Sequence, residues 1–573
     1  MKQTSYPGGY WEPGKPKYGV SKLHSRIRIP ISDGRSLNAA MICPEGAKDE
    51  KFPVVIEWTC YSGRPDEYYA RYGYISVMVW MQGTGGSDGE IRMGDSIEGE
   101  DAVHIIDWAV NLPQSNGDVA FMGASAPAAM ALLAARTDAR VKCIIVNNNA
   151  LENCVRQSWF MSGVPTVGGI YYTSAISYIY GRTRASARWA DKAVKDMEEG
   201  TGISYDSDFW KDRMPMRWAK DIVDNDVPVM MSTGYKDIMD NLIIKNWCAF
   251  QNAYAGRDVD QKMEQGQKVS SKWQLIYGDW SHMEALDAGL NLQWLETWVR
   301  GVDTGLQRTK KPLHLYEGGS GRWFNTDIYP VSRKSDQWYL GDNSTLGKMR
   351  SGNGSIDLQL AYPHEKNGFY TFSSEELRED YTIAGAISAT IYASTTSTNL
   401  GIIATVCDVC GKNRIEVARG IILGSQSSYN REKTWFDDNG IPTYVWADLD
   451  KDEYLNPGEI YELHMNLACR QWKFEKGHRI VVELTNKSPV EYCPPHGPMP
   501  GNICRPGRYN KKQVASMKGG IFTVYFDEEH PTAVNLPVTE NDAQDYVSRT
   551  GVLPNGTGFF GFSGHKLPLD WEQ

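Results

Sequence analysis

The 573-residue sequence lacks the features that mark several large classes of protein. No apolar run is long enough to cross a bilayer and the mean hydropathy is -0.46, which excludes a helical membrane span. There is no basic excess: 60 Lys and Arg stand against 70 Asp and Glu, a net charge of -10 with pI near 5.6. Nucleic acids and anionic membranes both need a positive patch, so neither is an expected partner. Ten cysteines spread over this length are not a disulfide framework. Low-complexity tracts and internal repeats are missing. The N-terminal MKQTSYPGGYWEPGKPKYG has no charged start followed by an apolar stretch, so a cytoplasmic location is expected.

What is present is an ordinary globular composition, 41% apolar and 23% charged, in a chain too long for one core. Two or three domains are expected. The first third alternates strand-like and helix-like segments. Pro53 to Trp58 (PVVIEW), Tyr74 to Trp80 (YISVMVW), Val119 to Met122 and Val141 to Val146 are short, nearly continuous apolar runs, the pattern of buried parallel strands. Between them, Ala102, Ile105, Ile106, Ala109 and Val110 recur at helical spacing, and Ala128 to Ala135 consists of strong helix formers. Such alternation implies a parallel sheet with helices on both faces. Residues 151–225, rich in Trp and Tyr among helix formers, read as a helical insertion. Val227 to Ser232 and Trp273 to Tyr277 resume the strand pattern. From about 312 onward, short β-branched and aromatic runs such as Ser388 to Ser394, Gly401 to Val406, Arg479 to Leu484 and Gly520 to Tyr525 indicate an all-β sandwich or jelly roll.

Ser125 is the candidate nucleophile. It follows Gly123-Ala124 in a turn between the 119–122 strand and the helix from 128. A serine on such a turn projects its hydroxyl above the sheet edge, where the helix dipole and free N–H groups favour an oxyanion. The competing reading is a serine that caps the helix. Pro127 stands where the G-x-S-x-G pattern has its last glycine. A serine hydroxyl needs a base, and the base needs an orienting carboxylate. In a hydrolase sheet these follow in the order Ser, Asp or Glu, His, on loops after later strands. Of ten histidines, His282 lies directly after the 273–277 strand in a polar loop. His104 falls within a helix, and His314, His464 and His478 in strand-like segments. Asp237 and Asp240 both follow the 227–232 strand. One oxyanion donor is the backbone N–H of Ala126, the residue after the nucleophile.

These residues sit within a recognisable series of motifs. Gly73-Tyr74, Gln82-Gly-Thr-Gly-Gly-Ser-Asp-Gly89, Asp101 to Trp108 (DAVHIIDW), Pro113 to Val119 (PQSNGDV) and Gly123-Ala-Ser125 occur in order. Gly234-Tyr-Lys-Asp237, Tyr277 to His282 (YGDWSH), a Trp323 segment, Pro457-Gly-Glu459 and Lys476 to Ile480 follow. The series resembles the X-Pro dipeptidyl-peptidase / cocaine esterase / α-amino acid ester hydrolase family of α/β hydrolases. The resemblance implies an α/β hydrolase core with a helical cap insertion and a C-terminal all-β jelly-roll domain. The corresponding boundaries are 1–150 with 226–311, 151–225, and 312–573. It implies the triad Ser125, Asp237 and His282, preferring Asp237 over Asp240. It also implies that Tyr61, in Thr59-Cys60-Tyr61, supplies the second oxyanion donor through its hydroxyl. Three departures stand out: Gln82 where the family has Arg, Ala126 where it has Tyr, and Ala128 where it has Gly.

The expected activity is hydrolysis of a small carboxylic ester or amide through an acyl-enzyme, without a metal or organic cofactor; a homo-oligomer is compatible with the sequence. X-Pro dipeptidyl peptidase, acyltransferase or cyclase chemistry remain alternatives on the same fold. A binding protein on a decayed hydrolase fold is the alternative of another class. Other motifs are set aside. Cys407 and Cys410 form a lone C-x-x-C in a strand-rich region, and Cys493 and Cys504 flank a Pro/Gly-rich loop. Asp448, Asp450, Asp452, Asn456 and Glu459 match calcium-loop ligand positions, but Glu453 replaces the required glycine and the flanks read as strands. Gly83 to Ser87 resembles a phosphate loop without its Lys-Ser/Thr pair.

Overall fold

A computed structural model describes residues 11, 13–92, 94–147, 191–192, 195–196, 198–213, 215–236, 243–281, 288–359, 369–486, 510–539 and 546–547. Two sheets organise them. The first contains, in chain order, β1 (His24–Pro30), β2 (Ser36–Ile42), β3 (Phe52–Thr59), β4 (Ile75–Trp80), β5 (Ser115–Ala124) and β6 (Val141–Asn147). It continues with β7 (Val229–Lys236), β8 (Trp273–Ser281), β9 (Leu313–Glu317) and β10 (Arg322–Thr326). In space the order is β1-β2-β4-β3-β5-β6-β7-β8-β9-β10, with Tyr546–Val547 on the far edge. From β4 to β9 every neighbouring pair is parallel, and antiparallel pairs close both ends.

The apolar runs read from the sequence are these parallel strands. All eight residues of β3 are buried, because helices cover both faces. On one face lie α1 (Ser96–Val110), α2 (Ala126–Thr137), α3 (Pro215–Asp224) and α4 (Ile243–Tyr254). Ala102, Ile105, Ala131, Trp218 and Trp247 from these helices pack against Val54, Val119 and Val229. On the other face, α5 (Ala288–Trp298) buries Leu292 and Trp294 against Ala120, Ile145 and Ile276. β5 starts four residues earlier than its apolar run, because Phe52 pairs with Ser115 and its N–H donates to the Gln114 carbonyl at 2.8 Å.

The first helix carries a titration that its position dictates. The Asp95 side chain caps α1 by accepting from the Glu98 N–H at 2.8 Å. Glu98 itself is fully buried, one oxygen accepting from the Gly94 N–H at 2.8 Å. Burial, with neighbouring Asp101 and Asp95 adding to it, pushes its pKa up to about 8. The folded state therefore holds a proton that the unfolded chain releases near pH 4.5, and this group's contribution to stability falls as pH rises between those values. Glu98→Gln removes the titration and keeps the acceptor. Its Tm advantage over the parent is expected to be near zero at pH 5 and to grow steadily towards pH 8. A thermal-unfolding gain independent of pH would contradict this.

The second sheet is antiparallel except where Thr345 pairs with Ser373. Its longest strands, Tyr381–Thr395 and Tyr461–Phe474, pair along their length. Ile387, Ile391, Leu463, Val482 and Phe522 contribute to its own apolar core. The chain thus has an α/β hydrolase core and a separate, mostly β C-terminal domain. The compositional boundary at 311 differs from the hydrogen-bonded one. β9 and β10 extend the first sheet, since Leu275 to Tyr277 pair with Leu313 to Leu315. The expected helical cap falls mainly outside the described residues. Its described tail includes Asp208–Lys211 and α3, and Trp210 and Trp218 are buried. α3 packs on α2, with Arg136 paired to Asp221 at 3.2 Å and stacked over Trp218.

The two domains share buried contacts. Trp435, Tyr444 and Trp446 of the second domain join the core cluster of the first, and the Lys245 ammonium on α4 lies over the Trp446 ring, 3.9 Å from its centre. Among the described residues, no helix is long and apolar enough to cross a membrane.

Candidate active site

The winding of the sheet selects the site. The chain runs from β3 to β4 on one side, then crosses to β5 on the other, so β3 and β5 are spatial neighbours. In open α/β sheets the crevice at such a reversal, beyond the C-terminal strand ends, is where ligands bind. Ser125 follows β5 and Tyr61 follows β3. Sixty-four residues apart in sequence, they meet there: Tyr61 Oη donates to Ser125 Oγ at 3.2 Å, and both side chains are half-buried.

Ser125 has φ 64° and ψ -127° and its side chain makes no capping bond to the helix that begins beside it. Left-handed φ in a serine costs about 1–3 kcal/mol, and nothing in helix capping requires it. The surrounding structure holds the strain. The Ser125 N–H donates to the Asn147 carbonyl at 3.1 Å, and Asn147 Oδ1 accepts from Ser232 Oγ at 2.8 Å. The ends of β5, β6 and β7 are thereby tied together. The backbone geometry separates the elbow reading from the N-cap reading, which has no side-chain bond to rest on.

The departures in this turn are accommodated. Ala126 is the first residue of α2, so its N–H is one of those that no carbonyl of the helix reaches. The oxyanion role asks only for that N–H, whatever the side chain. Pro127 is the second, where a missing N–H costs nothing and a fixed φ suits the helix. The space the turn needs comes from Gly123: a Cβ there would lie 2.4 Å from the Pro127 backbone. Ala128 is fully buried in the core against α2's neighbours.

Gln82 lies elsewhere. It is buried, donates to Asp101 Oδ2 at 2.6 Å, and accepts from the Arg35 guanidinium at 2.5 Å. Burial pushes Asp101 up to about 6, against the lowering effect of the Gln82 bond. The cation that an arginine at 82 would supply reaches this cluster from Arg35, between β1 and β2. No sequence signal marked Arg35 for this role, because Gln82 is 47 residues away.

Asp237 and His282, together with Asp240, lie outside the described residues. The strands that lead to them are described. Tyr235, two residues before Asp237, gives its carbonyl to Arg470 Nη2 at 3.3 Å. Tyr277, on β8, accepts Arg470 Nη1 at 3.0 Å. Arg470 belongs to the C-terminal domain, so that domain braces both strand ends. Three of the other histidines weighed in the sequence have local partners. His314, on β9, is buried between Asn325 and Gln274, and burial lowers its pKa to about 4. His478 holds Asp408 at 2.7 Å, and His104 contacts Ser32 at 3.2 Å.

The remaining motifs have structural explanations. Cys407 is buried and Cys410 exposed on one strand, both as free thiols; residues three apart on a strand face opposite ways. Cys493 and Cys504 lie outside the described residues. In the 448–459 loop, Asp452 accepts from Ser425 and Tyr205, both at 2.7 Å, and Glu459 from Asn456 at 2.8 Å. Among the described residues no group of three or more His, Cys, Asp or Glu could hold a metal ion.

Comparison with known proteins places this geometry in context. Residues 33–284 match the X-Pro dipeptidyl-peptidase (S15) family, and residues 304–535 match the X-Pro dipeptidyl-peptidase C-terminal non-catalytic domain. Cocaine esterase from Rhodococcus sp. (strain MB1 Bresler) is 21% identical over 91% of this chain and 99% of its own. Among solved structures, an α-amino acid ester hydrolase superposes with TM-score 0.67 at 16% identity, covering 92% of this chain and 98% of that one. A CocE/NonD family hydrolase from Staphylococcus aureus gives TM-score 0.70 at 17% identity, with coverage of 90% and 93%. These structural likenesses speak for the fold.

Proposed function

As a member of the X-Pro dipeptidyl-peptidase (S15) family, the protein is a serine hydrolase, and we propose that it cleaves a small carboxylic ester or amide through an acyl-enzyme on Ser125. The observation that carries this reading is the strained serine at the switch point, with a tyrosine hydroxyl 3.2 Å from its Oγ. Ser125 attacks the carbonyl carbon while His282 takes its proton and Asp237 orients the imidazole. The Ala126 N–H and Tyr61 O–H stabilise the tetrahedral oxyanion. His282 returns the proton to the leaving alcohol or amine. Water then attacks the acyl carbon as His282 accepts its proton, the bond from the acyl carbon to Ser125 Oγ breaks, His282 returns the proton to Ser125 Oγ, and the acid departs. Every step uses side chains and backbone of this chain, so no cofactor enters the proposal. The C-terminal domain is read as a jelly roll, on its almost wholly antiparallel pairing.

Gln82, Ala126 and Ala128, which motivate a non-catalytic reading, are compatible with hydrolysis. Gln82 bridges buried Asp101 to the half-buried Arg35, and neither alanine removes a backbone donor. A fluorophosphonate probe tests the reading directly. An adduct mapped to Ser125 is expected, and folded protein that takes no label there would overturn it. A panel of p-nitrophenyl esters beside aminoacyl-Pro-anilides then distinguishes esterase from dipeptidyl peptidase. We place preference with the esters, since no carboxylate pair for a free substrate amine is evident in the sequence.

A further inference from the structure

The glycine-rich segment after β4 is bonded more densely than a passive connection requires. Asn38 Nδ2 donates to the Gly85 carbonyl at 2.7 Å, Ser87 Oγ donates to the Trp80 carbonyl at 2.6 Å, and the Asn38 N–H donates back to Ser87 Oγ at 2.9 Å. Gly85 has φ 53°, and a Cβ there would lie 2.0 Å from the Trp80 ring. The segment therefore wraps over the indole of Trp80 and leaves room for nothing else. The same five-membered ring holds Tyr61: Trp80 Nε1 donates to the Tyr61 carbonyl at 2.9 Å. The opposite end of the same residue is also held, since the Tyr61 N–H donates to Thr59 Oγ1 at 3.1 Å. Thr59 is fully buried and its side chain also bonds the carboxyl of buried Glu57.

A tyrosine in a loop gains aim only if its backbone is fixed, because the phenol oxygen lies at the end of a long lever. We propose that Trp80, with Thr59, clamps the backbone of Tyr61 and so aims its hydroxyl at the site beside Ser125. Trp80 is a positioning residue: its indole touches Tyr61 and not the reacting atoms. The clamp rests on the reading of Tyr61 as an oxyanion donor. It gives the glycine-rich segment a function, which is to seat the Trp80 indole against Gly85.

The test is a double-mutant cycle in the full-length protein, measured with a p-nitrophenyl ester. Trp80→Phe keeps an aromatic ring and removes the N–H. It is expected to lower kcat about tenfold with KM within about twofold, since small misplacements of a catalytic donor cost rate rather than binding. In the Tyr61→Phe background the same change is expected to have no further effect, because there is no hydroxyl left to aim. A multiplicative effect in the double variant, or an unchanged kcat in the single one, would overturn the clamp. If Tyr61→Phe alone leaves kcat unchanged, it is the oxyanion reading that fails, and the clamp with it. Should Trp80→Phe not fold, Thr59→Val and Thr59→Ser read the clamp from the N–H side. Loss of about tenfold in the valine variant, with activity kept in the serine variant, supports it; equal activity in both overturns it.

Discussion

Ser125→Ala is expected to lower kcat by about 10⁴–10⁶-fold, the range found when a hydrolase loses its nucleophile and keeps its binding site. The stability of the protein is expected to stay the same. Alanine has the same Cβ and so meets the same strain at φ 64°. The Ser125 side chain makes no helix-capping bond whose loss would be felt. Removing a true N-cap serine costs about 0.5–2 kcal/mol, so the two readings of this residue predict opposite patterns. Kinetics and thermal unfolding of one variant separate them. A large drop in Tm with activity retained would return Ser125 to a structural role.

Tyr61→Phe is expected to lower kcat by about 10²–10³-fold, the usual consequence of losing one oxyanion donor. KM is expected to change little. The hydroxyl is directed at Ser125 Oγ in the resting site, and its largest effect comes when the carbonyl oxygen gains charge. The ring remains in place, so its packing against the core of the first domain is conserved. Steady-state kinetics, with the rate of fluorophosphonate labelling as a second measure, check this. A KM increase with unchanged kcat would make Tyr61 a substrate-binding residue and leave the oxyanion to Ala126 and another donor.

Much of this was legible because it is local. Val119 to Met122 cannot be other than a buried strand, and Ala128 to Ala135 cannot easily be other than a helix. The tight turn between them is then forced on Gly123-Ala124-Ser125. Helical spacing of Ala102, Ile105, Ile106 and Ala109 likewise marks the buried face of α1. Misplaced boundaries arose where pairing overrode composition. Residues 115–118 look like a turn by composition, but join β5 because Phe52 offers a partner. β9 and β10 look like the start of the second domain, yet β8 has an open edge that they complete.

The departures at 82 and 127 show the limit of motif matching. Arg35 brings the cation missing at 82, and the proline at 127 falls in the first turn of α2, where its missing N–H is not needed. A motif compares positions one at a time and does not see such exchange.

The amino-acid order by itself determined which segments are strands and helices, the place of Ser125 between them, and the chain order of the residues proposed to act with it. Those properties follow from side-chain periodicity and backbone preference over a few residues. Only the tertiary structure decided that β3 lies beside β5, so that Tyr61 reaches Ser125, that the serine backbone is left-handed, and that an indole on β4 holds the tyrosine in place. These depend on which strands pair across the sheet. That choice is made by burying both faces of the whole sheet at once, a condition no short stretch of sequence carries.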